Sequence, residues 1–199
     1  MISRVDATLL VLAGGMSRRM GRPKAWLEVG DTKLLPWMVA RLSPAFSEVI
    51  VSFNEPEQLQ EHVSYRLVFD RKGEAGPLAG LEAGLTAARE EVTFVVAVDM
   101  PYVTVEVAEM AIAAARTSDA AIPRIGDRPE PVCAAYRRSA LSAISAALEA
   151  GELKLSNLAE RLDVTWLEGL DPELFRSLNT PDEYERFQER VAGKKPTGR

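Results

Sequence analysis

Ala7-Thr-Leu-Leu-Val-Leu-Ala-Gly-Gly-Met-Ser-Arg-Arg-Met-Gly-Arg-Pro-Lys24 decides how the rest of the chain is read. Ala7 to Leu12 is a short apolar run, and the two glycines that follow, Gly14 and Gly15, end it; the pattern reads as a buried strand entering a loop. Without a Cβ, this backbone can turn sharply and bring N–H groups against an anion. Arg18, Arg19, Arg22 and Lys24 add four cations within seven residues, which suits a polyanion. A solvated connection carrying ordinary surface arginines is the plain structural alternative. Two familiar phosphate loops fail on spacing. A Walker loop needs Lys and then Ser or Thr directly after its second glycine, whereas Gly21 is followed by Arg22 and Lys24 by Ala25. The dinucleotide fingerprint needs Gly, one residue, Gly, and Met16 stands where the partner of Gly14 is required.

Further apolar runs lie at 48–53, 65–69, 92–98, 120–123, 132–136 and 164–167, and each is expected to form a strand. Helical spacing is expected at 34–46, 56–62, 77–89, 105–116, 139–150, 157–161 and 181–191, with Thr104 as a cap. Alternation of this kind predicts an α/β fold: a mostly parallel twisted sheet covered by helices on both faces. One domain over residues 1–192 is expected, with 193–199 a disordered tail. Ligands of such sheets bind in the crevice beyond the carboxyl ends of the strands. The glycine loop, Asn54, Asp70 and Asp99 each follow one of the first four strands, so one crevice can collect them all.

The 199 residues carry a net charge of −5, and Trp26, Trp37 and Trp166 are scattered, so a nucleic-acid platform is not expected. Cys133 is the only cysteine and His62 the only histidine, which argues against disulfides, thiolate zinc sites and His-based triads. Cys133 reads as a small buried hydrophobe. No run reaches the roughly 18 apolar residues of a membrane span and no signal segment opens the chain; a cytoplasmic protein is expected.

Asp99 ends Val95-Val-Ala-Val98 and precedes Met100-Pro101, placing a carboxylate at a strand tip. There it suits Mg²⁺, which takes one or two carboxylates plus substrate phosphates; a turn or capping aspartate is the bland reading. Asp70-Arg-Lys-Gly-Glu-Ala-Gly-Pro-Leu-Ala-Gly-Leu81 permits close backbone approach at Gly73, Gly76 and Gly80, with Pro77 in the first turn of a helix. Asp70 can accept from the N1–H and amino group of guanine, from ribose hydroxyls, or from its own turn. Asn179-Thr180-Pro181 has a sufficient account as a helix start.

Leu12-Ala-Gly-Gly-Met-Ser-Arg-Arg-Met-Gly-Arg-Pro-Lys24, Val98-Asp99-Met-Pro101 and Gly76-Pro-Leu-Ala-Gly-Leu81 occur in the order seen in the molybdenum cofactor guanylyltransferases, and from Thr8 to about Phe187 the chain resembles that family. The resemblance implies a single Rossmann-like nucleotidyltransferase domain that joins GMP from GTP to the terminal phosphate of molybdopterin and releases pyrophosphate. It implies catalytic roles for Arg19, Lys24 and Asp99, with Asp99 the Mg²⁺ ligand. GTP contacts are implied at Leu12, Ala13, Gly14, Gly15, Arg19, Lys24, Asn54, Asp70, Gly76, Pro77, Leu78, Gly80 and Asp99. Acceptor contacts are implied at Pro123, Asn179 and Thr180, beside the wall Pro131 to Arg137, with Ser177 where the family has an asparagine. Transient contact with molybdoenzyme-maturation proteins is also implied. Three alternatives stay open: a molybdopterin cytidylyltransferase, a sugar-phosphate nucleotidyltransferase, and a non-catalytic nucleotide-sensing module. Relatives with the first two activities carry Ala-Ala-Gly where this chain has Ala13-Gly14-Gly15.

Overall fold

Leu9, Leu10 and Val11 are all fully buried, because the strand that contains them, β1 (Val5–Leu12), is hydrogen-bonded on both edges and covered on both faces. The computed structural model describes residues 4–14, 23–59, 63–70, 76–152 and 154–193. After β1 come a short hairpin, β2 (Glu28–Val29) and β3 (Thr32–Lys33), then α1 (Leu34–Leu42), β4 (Phe46–Phe53), β5 (Arg66–Phe69) and α2 (Gly76–Ala87). The chain continues through β6 (Val92–Ala97), α3 (Val105–Ala115), β7 (Ala120–Ile125), β8 (Arg128–Pro129), β9 (Cys133–Arg137), α4 (Leu141–Glu149), β10 (Val164–Leu167) and α5 (Pro181–Val191).

The main sheet runs β10-β7-β9-β6-β1-β4-β5, with β8 paired to β7. Pairings β6–β1, β1–β4, β4–β5 and β10–β7 are parallel; β9 alone among the long strands runs against its neighbours. This is the expected α/β sheet, and alternation along β1 shows why it is covered twice. Leu9 and Val11 join a core with Met38 of α1, Ala111 of α3 and Phe187 of α5. Leu10 and Leu12 join a second core with Leu81 of α2 and Ile144 of α4.

Several local expectations are corrected. The helix expected over 34–46 stops at Leu42, because Pro44 lacks an amide proton and turns Ser43–Ala45 into a 3-10 segment before β4 begins at Phe46. The expected helix at 56–62 is a 3-10 turn, Pro56–Gln58, with 60–62 outside the described residues; the one at 157–161 is a 3-10 run, Leu155–Glu160. Thr104 occupies the cap position of α3 without a side-chain capping bond. Residues 194–199 of the expected tail also lie outside the described residues.

Helix α2 presses unusually close to the sheet. A Cβ on Gly80 would stand 3.0 Å from Ser52 Oγ, and one on Gly84 only 2.2 Å from Leu10 Cδ2. Leu10 is wholly enclosed, so its side chain has nowhere to retreat. In an open helix Gly→Ala stabilises by up to about 1 kcal/mol; at Gly84 the sign is expected to reverse, with Gly84→Ala losing about 1–3 kcal/mol in urea unfolding. Adding Leu10→Ala should recover part of that loss, and simple additivity of the two losses would show that the contact is not the cause.

Candidate functional site

The parallel strands deliver their carboxyl ends to one edge, where a cavity of about 360 Å³ opens, large enough for a small molecule. Its lining includes Leu12 and Gly14 after β1, Ser52 and Asn54 at β4, and Ala97, Val98 and Asp99 after β6. Gly76, Pro77 and Gly80 of α2 form another side, and Lys24, Val132 and Ser177 complete it. The sequence-based readings named most of these positions. Ser52 and Ala97 were missed; each lies within an apolar strand pattern that carries no signal of its own for a cavity.

At one end Lys24 Nζ donates to Asp99 Oδ2 at 2.6 Å and to Asn179 Oδ1 at 2.8 Å. Only 15% of the lysine side chain and 21% of the aspartate side chain remain exposed. The lysine is aimed by its neighbours. Ala25 and Trp26 are buried within the 3-10 turn Lys24–Trp26, Trp26 stacks on Phe53 at 6.2 Å, and its indole N–H donates to the Gln58 carbonyl at 2.6 Å. Asp99 is held through its backbone: the Val98 N–H donates to Leu12 O at 3.0 Å, and Leu178 N–H donates to Asp99 O at 2.8 Å.

The glycine loop departs from its expected use. Ala13 and Gly14 N–H groups both donate to Ser52 O, at 2.8 and 3.1 Å, so these two amides tie β1 to β4 and are not available to cradle phosphate as expected. Ala13 is buried as well. Gly14 is required for a steric reason, since a Cβ there would lie 1.7 Å from Asn54 Oδ1. Gly15 and Arg19 lie outside the described residues, as do Arg18 and Arg22.

On the other side Gly76 opens α2 with φ +64°, a conformation that glycine accepts without strain. Leu78 is corrected: its side chain is fully buried in the core beneath α2 and offers no surface to a ligand. Asp70 follows β5 with its N–H donating to Phe53 O at 3.2 Å. It is 8% exposed, and neither carboxylate oxygen has a hydrogen bond among the described residues. Burial, and secondarily the charge of Glu55, push its pKa up.

The acceptor-side expectations divide. Pro123 is buried within β7, its carbonyl accepts from Glu130 N–H at 2.8 Å, and it is absent from the cavity lining. Thr180 caps α5: its hydroxyl accepts from Glu183 N–H while Glu183 reaches back to the Thr180 amide, so the hydroxyl is committed to the helix. Asn179 meets Lys24 directly. Cys133 is fully buried, which pushes its thiol far up from its ordinary pKa, in keeping with a packing role. Among the described residues no group of three or more His, Cys, Asp or Glu gathers to hold a metal, and no helix is long and apolar enough to cross a membrane.

Residues 9–165 match the MobA-like NTP transferase domain. A protein of Peptoclostridium acidaminophilum described as a probable molybdenum cofactor guanylyltransferase is 32% identical, with 98% of this chain and 95% of that protein covered. One of Methanosarcina acetivorans with the same description is 36% identical over 93% of this chain and 91% of its own. Among solved structures, the molybdopterin-guanine dinucleotide biosynthesis protein A of Archaeoglobus fulgidus is similar with a TM-score of 0.81 at 29% identity, covering 94% of this chain and 99% of that one.

The Asp70 carboxylate, without a hydrogen bond among the described residues, affects stability. With its folded pKa above the ordinary carboxylate value, the folded state holds this proton more tightly than the unfolded state, so stability contributed here is present below the ordinary value and is lost as pH rises through the folded pKa. Asp70→Asn should therefore raise the thermal midpoint at neutral pH while leaving it little changed in acid. A lower midpoint at neutral pH would show that the carboxylate is satisfied in the folded protein.

Proposed function

This chain belongs to the MobA-like NTP transferase family, and we propose that it transfers GMP from GTP to the terminal phosphate of molybdopterin, releasing pyrophosphate. The observation that carries the reading is the Lys24–Asp99 pair at 2.6 Å, placed at the phosphate end of a cavity whose far side is the glycine-opened start of α2. The names of the relatives support guanine over cytosine, and the cytidylyl and sugar-phosphate alternatives are not favoured.

An acceptor phosphate oxygen attacks the α-phosphorus of GTP, a new P–O bond forms, and the α–β bridging P–O bond breaks with its electron pair leaving on pyrophosphate. The attacking phosphate is already anionic at neutral pH, so no protein base or covalent nucleophile is needed. The buried Cys133 is compatible with that chemistry, and no histidine stands among the described residues that line the cavity. Lys24 neutralises phosphate charge as a compact cation, while the rigid turn beneath it sets its position before substrate arrives. Asn54, Gly76, Pro77 and Gly80 form the nucleoside side; Asp70 is buried and absent from the described lining, and it enters as a guanine contact on the sequence resemblance alone. Leu78 contributes through packing only. Gly15 and Arg19 enter as further phosphate contacts on the strength of the sequence.

The donor set fits Mg²⁺. A single carboxylate facing the cavity, with no cluster of other ligands among the described residues, suits an ion that completes its shell with water and substrate phosphates. Asp99 would hold it, and bound there it supplies charge neutralisation to the leaving pyrophosphate. Transient contact with molybdoenzyme-maturation proteins and a cytoplasmic location belong to the same proposal.

Asp99→Asn is expected to keep the fold, by circular dichroism and thermal unfolding, while pyrophosphate release with GTP and molybdopterin falls by roughly a hundredfold. Near-normal turnover would remove Asp99 from the chemistry. In a thermal-shift series with Mg²⁺, GTP should raise the midpoint more than CTP or ATP, because only a ligand of the native state does so. A larger shift with CTP would reassign the base.

A further inference from the structure

An ammonium group has three hydrogens to donate and none to spare for guidance unless acceptors are fixed around it. Lys24 Nζ spends one on Asp99 Oδ2 and a second on Asn179 Oδ1, 155 residues away in sequence. Asn179 is itself anchored. Its backbone N–H donates to Glu183 Oε2 at 2.8 Å, the Thr180 N–H donates to the same oxygen at 2.9 Å, and Glu183 N–H closes the box on Thr180 Oγ1 at 3.3 Å. One residue earlier, Leu178 N–H is bound to the Asp99 carbonyl. These bonds hold the Glu183 carboxyl below its ordinary pKa, with the Asn179 amide the largest contributor, so the anchor stays charged at neutral pH.

We infer that Asn179 is a positioning residue for the nucleotide half of the reaction: its amide oxygen fixes the Lys24 ammonium at the phosphate end of the cavity and leaves the third hydrogen for a phosphate oxygen of GTP. This rests on the reading of the cavity as a GTP site, and it goes beyond the acceptor role that the sequence resemblance implies for Asn179. Two physical points carry it. A lysine stem has large rotamer freedom, and fixing it before substrate arrives removes that entropy from the cost of binding. An amide also does this without negative charge, whereas a second carboxylate beside Asp99 would repel the triphosphate. The cap of α5 thereby acts on the nucleotide site through one hydrogen bond.

The discriminating measurement is GTP affinity with Mg²⁺ and no molybdopterin, by isothermal titration calorimetry. A residue that serves only the acceptor has no effect in that experiment. Asn179→Ala, on the exposed connection before α5, is expected to fold normally by circular dichroism and to bind GTP roughly tenfold more weakly, the worth of one hydrogen bond to a charged group. In a Lys24→Ala background the same change should cost little more, because the two residues act as one unit. Unchanged GTP affinity in Asn179→Ala, or an equal loss in both backgrounds, would overturn the inference while leaving the proposed activity standing. Wild-type protein that binds no GTP would overturn the proposed activity and this inference with it.

Discussion

The parallel register of β1 between β4 and β6 is the constraint on which the cavity depends. Leu12 pairs with Ser52 on one edge and with Ala97 on the other, so three strands end at one level. Whatever follows each strand must emerge into the same space. Gly14, Asn54 and Asp99 therefore line one cavity although they are separated by 40 and then 45 residues along the chain. Further bonds lock this level: Ser52 O accepts both Ala13 and Gly14 amides, and Leu12 O accepts the Val98 amide. Slippage by one residue would also exchange the Leu9–Val11 face with the Leu10–Leu12 face, forcing both cores to repack.

From that edge the cavity gains two unlike sides. Helix α2 can lie low over β1 and β4 because Gly80 and Gly84 face Ser52, Leu12 and Leu10, and its first turn then borders the opening. The opposite end is made by chain segments that have no strand pairing at all, the Lys24 turn and the 177–179 connection, held by buried aromatic packing and by the α5 cap. Close backbone packing thus shapes one side of the cavity, and directed hydrogen bonds shape the side that carries charge.

Among the described residues that line the cavity, Lys24 and Asp99 alone carry charge. They pair across 2.6 Å while both keep some exposure. Asp70 is the contrary case, a carboxylate buried with no hydrogen bond among the described residues, an arrangement that costs stability. Stability is spent at the ligand edge and recovered in the two cores.

Much of this was legible from residue order. Strand β10 and helix α5 fall at their expected bounds, the alternation of strands and helices foretold the doubly covered sheet, and three of the first four strand ends, those at Gly14, Asn54 and Asp99, named the crevice, whereas Asp70 is buried outside its described lining. These are local matters of hydrophobic period, glycine and proline chemistry, which act over a few residues and so can be read along the chain. Tertiary structure alone decided that the Ala13 and Gly14 amides bind Ser52, that Leu78 points into the core, that Ser52 and Ala97 line the cavity, and that Asn179 reaches Lys24. Each depends on which strand lies beside which and on how closely a helix approaches, and those distances are set by packing between segments that no local pattern relates.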